Sequence, residues 1–487
     1  MSRCETVGTG GRGVKSRTVT RRMRNSDLLI ANARLVTPTG IVEGGAAVRD
    51  GKFVAIGTED TLPDAETRID ARGRLVFPGL VDPHVHLGGA FPYEQNLVTE
   101  CMSAAAGGVT TLLQYRRSPT TFLETFETDL ATAKRAMALD TAFHFIISSL
   151  AQAEEIPQYA ERWGVRSYKL YMGGYAPGNP IGLVAVDDGV FFRSMELIRE
   201  LGPYAYCMVH AENQGLYMFL NDRAHHTGRT DLGAYALSHP DFIEEEAVAR
   251  VVWLGELQRC PVYVVHTTTG AAIRAASAAR ARGARVVIET CPHYLALTID
   301  DERLASQGPA IGKVSPPLRN TAEREHLWDA IARNEVDLIG TDHVPILKTG
   351  ATVWDERPGF AGLATMLPVL VTFGLLRGRL TAPRLAELTS LNPARTFGIH
   401  PRKGAIAVGA DADAVIVDVE REARVAPEMT HSRYTSAFEG LPLRGWPVLT
   451  LRRGEIVFAD GEVRLREGSG EILRPGAYDE ERAASVA

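Results

Sequence analysis

Short apolar runs at 110–113, 142–147, 167–171, 206–209, 262–265, 286–288 and 336–339 alternate with longer helical stretches such as 245–257 and the Ala-rich 271–282. This alternation constrains the fold more than any other feature of the chain. A strand followed by a helix, repeated, builds parallel β-structure, because each crossover returns the chain to the same end of the sheet. A span of roughly 300 residues suits an eight-stranded α/β barrel, and an open parallel sheet stays compatible with the pattern alone. Outside this region the texture is all β. Runs at 28–31, 46–49 and 53–56 flank Asp50-Gly51, and runs at 414–417, 448–451 and 455–458 surround Arg453-Gly454. Asp-Gly suits a two-residue hairpin turn, and the matching textures predict that the two chain ends share one sheet domain.

Length and composition bound what such a fold can serve. The chain has 487 residues, 45% hydrophobic and 23% charged, which sets aside disordered, collagen-like and membrane classes. A formal net charge of −6 offers no footprint for nucleic acid or anionic lipid, so partners are expected in pockets. Five scattered cysteines include no CxxC pair; a reducing, cytoplasmic setting is the default expectation. No apolar run reaches the roughly 18 residues of a spanning helix. The Gly-, Ser-, Thr- and Arg-rich start reads as a disordered arm, an overextended start preceding Met23, or an organelle-targeting peptide without an apolar face.

The densest chemistry lies in Pro78-Gly79-Leu80-Val81-Asp82-Pro83-His84-Val85-His86. In an extended chain positions i and i+2 share a face, so His84 and His86 could grip one metal ion, or be ordinary hydrogen-bonded histidines. His210, His266 and Asp342 each follow an apolar run, and in a parallel barrel the strand ends converge on one face. Four histidines and an aspartate suit zinc, manganese or a similar ion. Lys169 interrupts the apolar run 167–171, where an unpaired ammonium is costly. It either snorkels outward or, near two cations, reacts as the neutral amine with carbon dioxide to give an anionic carbamate.

With these motifs in view, the chain resembles the amidohydrolase superfamily, and within it the cyclic amidases: dihydropyrimidinases and hydantoinases, allantoinases and dihydroorotases. The resemblance covers about residues 27–465 and also runs through Gly107-Gly108-Val109-Thr110-Thr111, Tyr168-Lys169-Leu170-Tyr171, His210-Ala211-Glu212-Asn213, Glu289-Thr290-Cys291-Pro292-His293, Ser315-Pro316-Pro317-Leu318-Arg319, Gly340-Thr341-Asp342-His343 and Asn392-Pro393-Ala394-Arg395. It implies a (β/α)₈ barrel over 79–401 and a β-sandwich from 27–78 and 402–465, with an arm at 1–26 and a tail at 466–487. It also implies two divalent ions, zinc or manganese. His84, His86 and Asp342 would hold the more buried one, His210 and His266 the other, with carboxylated Lys169 as the bridge. A bridging water would then attack an amide of a small cyclic ureide or imide, with Asp342 as general acid and base. Ser315 and Asn392 would hold the ring's amide edge through main-chain groups. A homo-oligomer, tetramer or dimer, is implied as well. His293, His343 and Cys291 are expected to pack around the site rather than join it.

Two departures bear on the substrate. Dihydroorotases usually carry an arginine two places after the second metal histidine, and Gly88 stands there. Dihydropyrimidinases and hydantoinases usually place an oxyanion-donating tyrosine five residues after the bridging lysine, and Gly174 stands there with Tyr175 beside it. Either the loop at 172–178 bends so that Tyr175 supplies the hydroxyl, or stabilisation relies on metal alone and the substrate differs. Gly88, Gly89, Gly173 and Gly174 are expected to leave room for a bulky ring substituent. Two other readings compete: the same centre acting on a lactam or acyclic amide, and a non-catalytic scaffold on the same fold.

Overall fold

The computed structural model describes residues 26–179 and 182–477. Strands β1 (Ser26–Thr37), β2 (Gly40–Arg49), β3 (Lys52–Gly57), β4 (Ala65–Asp70) and β5 (Leu75–Pro78) come first. Eight more follow: β6 (Leu80–His86), β7 (Val109–Arg116), β8 (Asp140–Ile146), β9 (Ser167–Tyr171), β10 (Tyr206–His210), β11 (Val262–Val264), β12 (Val286–Thr290) and β13 (Leu338–Ile339). The chain ends with β14 (Ala414–Arg424), β15 (Pro442–Arg452), β16 (Glu455–Ala459) and β17 (Glu462–Val463).

Strands β6 to β13 pair in parallel with their sequence neighbours. The ring closes through the segment after β13, where His86 N donates to His343 O at 2.9 Å and His343 N to His84 O at 3.3 Å. The parallel structure is thus a barrel rather than an open sheet. Its helices start where the sequence supplies a capping oxygen. Thr269 accepts from Ala272 N at the head of Gly270–Ala281, and Asn213 from Leu216 N at the head of Gln214–His225. Inside, side chains such as Val81, Leu113, Ile146, Met208 and Tyr263 fill the barrel, while a larger core joins strands to helices.

The two chain ends share one nine-stranded sheet, ordered β17-β16-β15-β14-β5-β1-β2-β3 with β4 beside β1. β5 pairs antiparallel with β14, so the join between the ends is a strand ladder with Val76 opposite Ile416. Both expected hairpin turns form: Asp50 and Gly51 have φ of 51° and 73°, Arg453 and Gly454 47° and 75°. Left-handed values at both central positions match the twist of the flanking strands. A buried Lys403 bolts this sheet to the barrel, its ammonium meeting carboxylates of Asp140 at the start of β8 and of Asp411 and Asp413.

Most of the arm expected at 1–26 lies outside the described residues. The tail is described as far as Ala477 and packs on the barrel, with Thr141 N donating to Glu471 O at 2.8 Å and Leu473 N to Thr141 O at 2.7 Å. Among the described residues no helix is long and apolar enough to cross a membrane.

Candidate active site

Closure of the barrel brings the six expected ligands to one end. His84 and His86 lie at the C-terminal end of β6, Lys169 on β9 and His210 at the end of β10. His266 follows β11 and Asp342 follows β13, with φ of 37° and 48°. A left-handed backbone at a non-glycine residue costs about 1 kcal/mol or more, so tertiary structure holds both turned into the mouth.

The donor atoms form two clusters. His84 Nε2 lies 3.1 Å and His86 Nε2 3.3 Å from Asp342 Oδ1, and the two nitrogens are 3.3 Å apart. Beside them His210 Nδ1 lies 2.9 Å from His266 Nε2. Lys169 Nζ is 3.3 Å from His84 Nε2, and among the described residues no carboxylate is in ion-pair range of it.

Buried carboxylates behind the histidines decide which nitrogens carry protons. Glu289 takes His84 Nδ1 at 2.6 Å, as well as the Tyr263 hydroxyl at 2.6 Å and His266 N at 2.9 Å. Glu212 takes His210 Nε2 and His239 Nδ1, both at 2.7 Å. With those protons drawn outward, His84 Nε2 and His210 Nδ1 point bare lone pairs inward. A bare nitrogen 3.1 Å from a carboxylate oxygen is repulsive unless a cation lies between them. His/carboxylate donors are also what zinc and manganese take, so the residues fit a pair of divalent ions. Asp82 steadies the frame, accepting from Thr341 N at 3.0 Å and His84 N at 3.1 Å.

The electrostatics follow from burial and neighbours. Burial would raise the Asp342 carboxyl, yet His84 and His86 hold it well below the usual range. Burial pushes His86 down to about 4 and the Lys169 ammonium down to about 8, the latter against the pull of Asp342 and Glu289. A neutral amine at position 169 is therefore accessible near neutral pH.

A cavity of about 500 Å³ opens above the clusters, walled by His86, Lys169, Tyr175, His266, Ser315 and Asp342 among others. Tyr175 stands with its ring centroid 5.3 Å from that of His210, and burial keeps its hydroxyl protonated. Asn392 is not brought here. Its amide donates at 2.7 Å to Asp337 O, just before β13, at the opposite end of that strand from Asp342. The expected substrate contact by Asn392 is corrected to a tie between a helix and the barrel floor. His343 accepts from Gly362 N at 3.1 Å and Cys291 is buried with its thiol pushed well up, so neither has a role among the donors.

The glycine expectation also needs correction. A Cβ at Gly174 would fall 2.2 Å from Glu212 Oε2 and 2.8 Å from His210 Nε2, and one at Gly173 2.3 Å from Glu212 O. These glycines let the chain press against the His210–Glu212 pair rather than make room for substrate. At Gly88 the space is taken by Tyr93 and Arg116; of the four, only Gly89 faces open space.

Glu212 and Glu289 lie within motifs that assign them no task from sequence. The signal was present: Glu289 sits in the apolar run of β12 as Lys169 sits in β9, and Glu212 is two residues past His210.

A model of the amidohydrolase family matches residues 75–457. An L-hydantoinase of Paenarthrobacter aurescens is 33% identical over 472 residues, 93% of this chain and 99% of that protein. An allantoinase of Rubrobacter xylanophilus is 36% identical over 463 residues, covering 91% and 99%. Among solved structures, the L-hydantoinase (dihydropyrimidinase) from Arthrobacter aurescens superposes with a TM-score of 0.83 at 33% identity, over 92% of this chain and 99% of that one. A D-hydantoinase crystal structure gives 0.84 at 32%, with the same coverage.

Proposed function

Because the chain belongs to the amidohydrolase family, in its hydantoinase- and allantoinase-type group of cyclic amidohydrolases, we propose that it opens the ring of a cyclic ureide or imide by metal-dependent hydrolysis. His84, His86 and Asp342 would hold one divalent ion and His210 and His266 the other, zinc or manganese. Lys169 would serve both as a carbamate. Its neutral Nζ would attack the carbon of carbon dioxide; as the C–N bond forms, one C–O π pair moves onto oxygen and an N–H proton passes to water, which turns the buried amine into an anion facing His84.

When bound, two such ions supply Lewis acidity to the scissile carbonyl and bring the pKa of water towards neutrality. The chain's own groups do the rest. Asp342 lines the cavity while its carboxylate touches both histidines, so it is placed to take a proton from attacking water and return it to the ring nitrogen as the C–N bond breaks. The Tyr175 hydroxyl, kept protonated by burial, donates to the carbonyl oxygen as charge builds there, a contribution worth about 10²-fold in rate. Ser315 offers its main chain to the ring's amide edge from the cavity wall.

The observation that carries this reading is the pair of donor clusters, each with a proton drawn outward by a buried glutamate, meeting beside a buried lysine that has no carboxylate in ion-pair range among the described residues. The test is ring opening by zinc- or manganese-reconstituted protein, supplied with bicarbonate, across hydantoin, 5-substituted hydantoins, dihydrouracil, allantoin and cyclic imides, with lactams and linear amides alongside. A cyclic ureide or imide converted to an acid heavier by one water, with loss of turnover in Lys169→Ala, is the expected result. Silence on every ring, with two metals bound, would overturn it.

A further inference from the structure

Part of the cavity wall has no helix or strand behind it. Ser315 and the stretches 344–346 and 357–359 all line the cavity, and all lie on irregular chain. No backbone ladder runs through such segments, so groups carried there need some other means of holding still.

Two lysines supply it, each reaching across to the other's segment. Lys313, two residues before Ser315, donates from Nζ to Val353 O and Glu356 O, both at 2.7 Å. Lys348, in the facing loop, donates from Nζ to Lys313 O at 2.7 Å, Arg357 O at 3.1 Å and Ala310 O at 3.3 Å. Lys313 O also accepts from Gly359 N at 3.0 Å. A single carbonyl close to Ser315 therefore meets both Lys348 and the 357–359 wall.

The facing loop is fastened around the same pair. The buried Glu356 carboxylate accepts from Thr349 N at 2.6 Å and Arg357 N at 3.0 Å. Val353 N donates to Thr230 O and Trp354 Nε1 to Arg229 O, both at 2.9 Å. The Tyr235 ring centroid lies 4.8 Å from Lys313 Nζ.

An ammonium drawn out of water must keep its hydrogen bonds. Among the described residues neither lysine has a carboxylate in ion-pair range, and their acceptors are the carbonyls of both segments. Displacing either segment strips these cations of acceptors, and a bond to a charged donor costs more to lose than a neutral one. None of these bonds reaches His84, His86, Lys169, His210, His266 or Asp342.

We propose that Lys313 and Lys348 are positioning residues, whose reciprocal clasp sets the gap between Ser315 and the 357–359 wall and so governs how tightly a ring is held, apart from the metal-donor clusters. The inference rests on the cyclic-amide reading for what is bound, and on the two lysines for how the wall is placed.

The test measures kcat and KM separately for 5-benzylhydantoin on zinc-loaded wild type, Lys313→Met, Lys348→Met and the double variant, with zinc content and thermal unfolding recorded for each. KM is expected to rise at least about tenfold in each single variant while kcat stays within about threefold, the signature of lost binding rather than lost chemistry. Both lysines close one clasp, so the double variant is expected to match the single variant of higher KM within about threefold, not the product of the two effects. Should Lys348→Met not fold, Lys348→Gln takes its place, its shorter side chain being unable to span the same carbonyls. A KM unchanged within about twofold in both single variants, or zinc lost along with turnover, overturns the inference. If the wild type opens no ring, the cyclic-amide reading falls by itself, and the clasp is judged by amide hydrogen exchange. Faster exchange at Gly359 in Lys348→Met with β9 unchanged then supports the clasp, and exchange equal to wild type overturns it.

Discussion

Glu212→Gln is the most revealing single change. The buried carboxylate accepts from two imidazoles at once, His210 Nε2 and His239 Nδ1, each at 2.7 Å. Glutamine keeps the shape but has one acceptor oxygen and one donor nitrogen, so it can accept from one ring and must donate to the other. If the amide nitrogen faces His210, that ring satisfies it only by moving its proton from Nε2 to Nδ1. Nδ1 is the atom 2.9 Å from His266 Nε2, and protonation there removes the lone pair a metal would need. If the amide turns the other way, His210 keeps its tautomer and loses the charged partner that made it basic. Changes of this kind behind a ligand weaken metal affinity about 10–100-fold, or about 1.4–2.7 kcal/mol. The assay is a competitive chelator titration of zinc on wild type and variant, with thermal unfolding to show that the fold persists. One of two binding steps is expected to weaken by that factor, and Glu289→Gln to weaken the other through His84. Two steps unchanged within about twofold in Glu212→Gln would refute the tautomer argument.

Gly174→Ala is expected to disturb the same pair from the other side. Its Cβ would lie 2.2 Å from Glu212 Oε2 at a φ of 85°, so turnover and metal content should fall together, and an alanine variant with normal metal content would contradict the packing. Lys403→Met removes the ammonium shared by Asp140, Asp411 and Asp413 and leaves buried like charges facing one another. A loss of about 3–5 kcal/mol is expected in denaturant unfolding, and a loss below about 1 kcal/mol would show that the junction is held by its strand ladder instead. His144, bonded to Ser167 and to Pro83 O at 3.1 Å, is pushed by burial down to about 3. Between pH 6.5 and 3 the unfolded chain takes up a proton that the folded chain refuses, so the stability this group confers is full above about 6.5 and is lost as pH falls, by about 1.4 kcal/mol per unit. The stability gap between wild type and His144→Asn should narrow below pH 6.5, and a gap constant from pH 7 to 5 would contradict the shift.

The barrel was legible because its strands are buried on both faces and read as short apolar runs; β9 and β10 begin within a residue of where the pattern puts them. β13 is only two residues long, and what closes the ring there is the pairing of His343 with Val85, a contact no local pattern encodes. The metal-type donors were legible because charged and imidazole groups at the ends of apolar runs break the expected composition. The place of Asn392 is not legible because a motif's order in sequence says nothing about which end of the barrel its segment reaches. The role of the glycines is hidden for a related reason: a missing side chain does not imply empty space, and Gly173 and Gly174 mark backbone pressed against Glu212 and His210.

The central claim is that hydrolysis of a cyclic amide depends on a two-ion centre built from His84, His86, Lys169, His210, His266 and Asp342. Its most direct test is to titrate zinc into metal-stripped protein, with bicarbonate present, while following opening of a 5-substituted hydantoin. Turnover rising to a plateau near about two equivalents per chain, and no plateau in Lys169→Ala, is the expected result. Turnover that is complete at one equivalent, or that persists without added metal after exhaustive chelation, would contradict it.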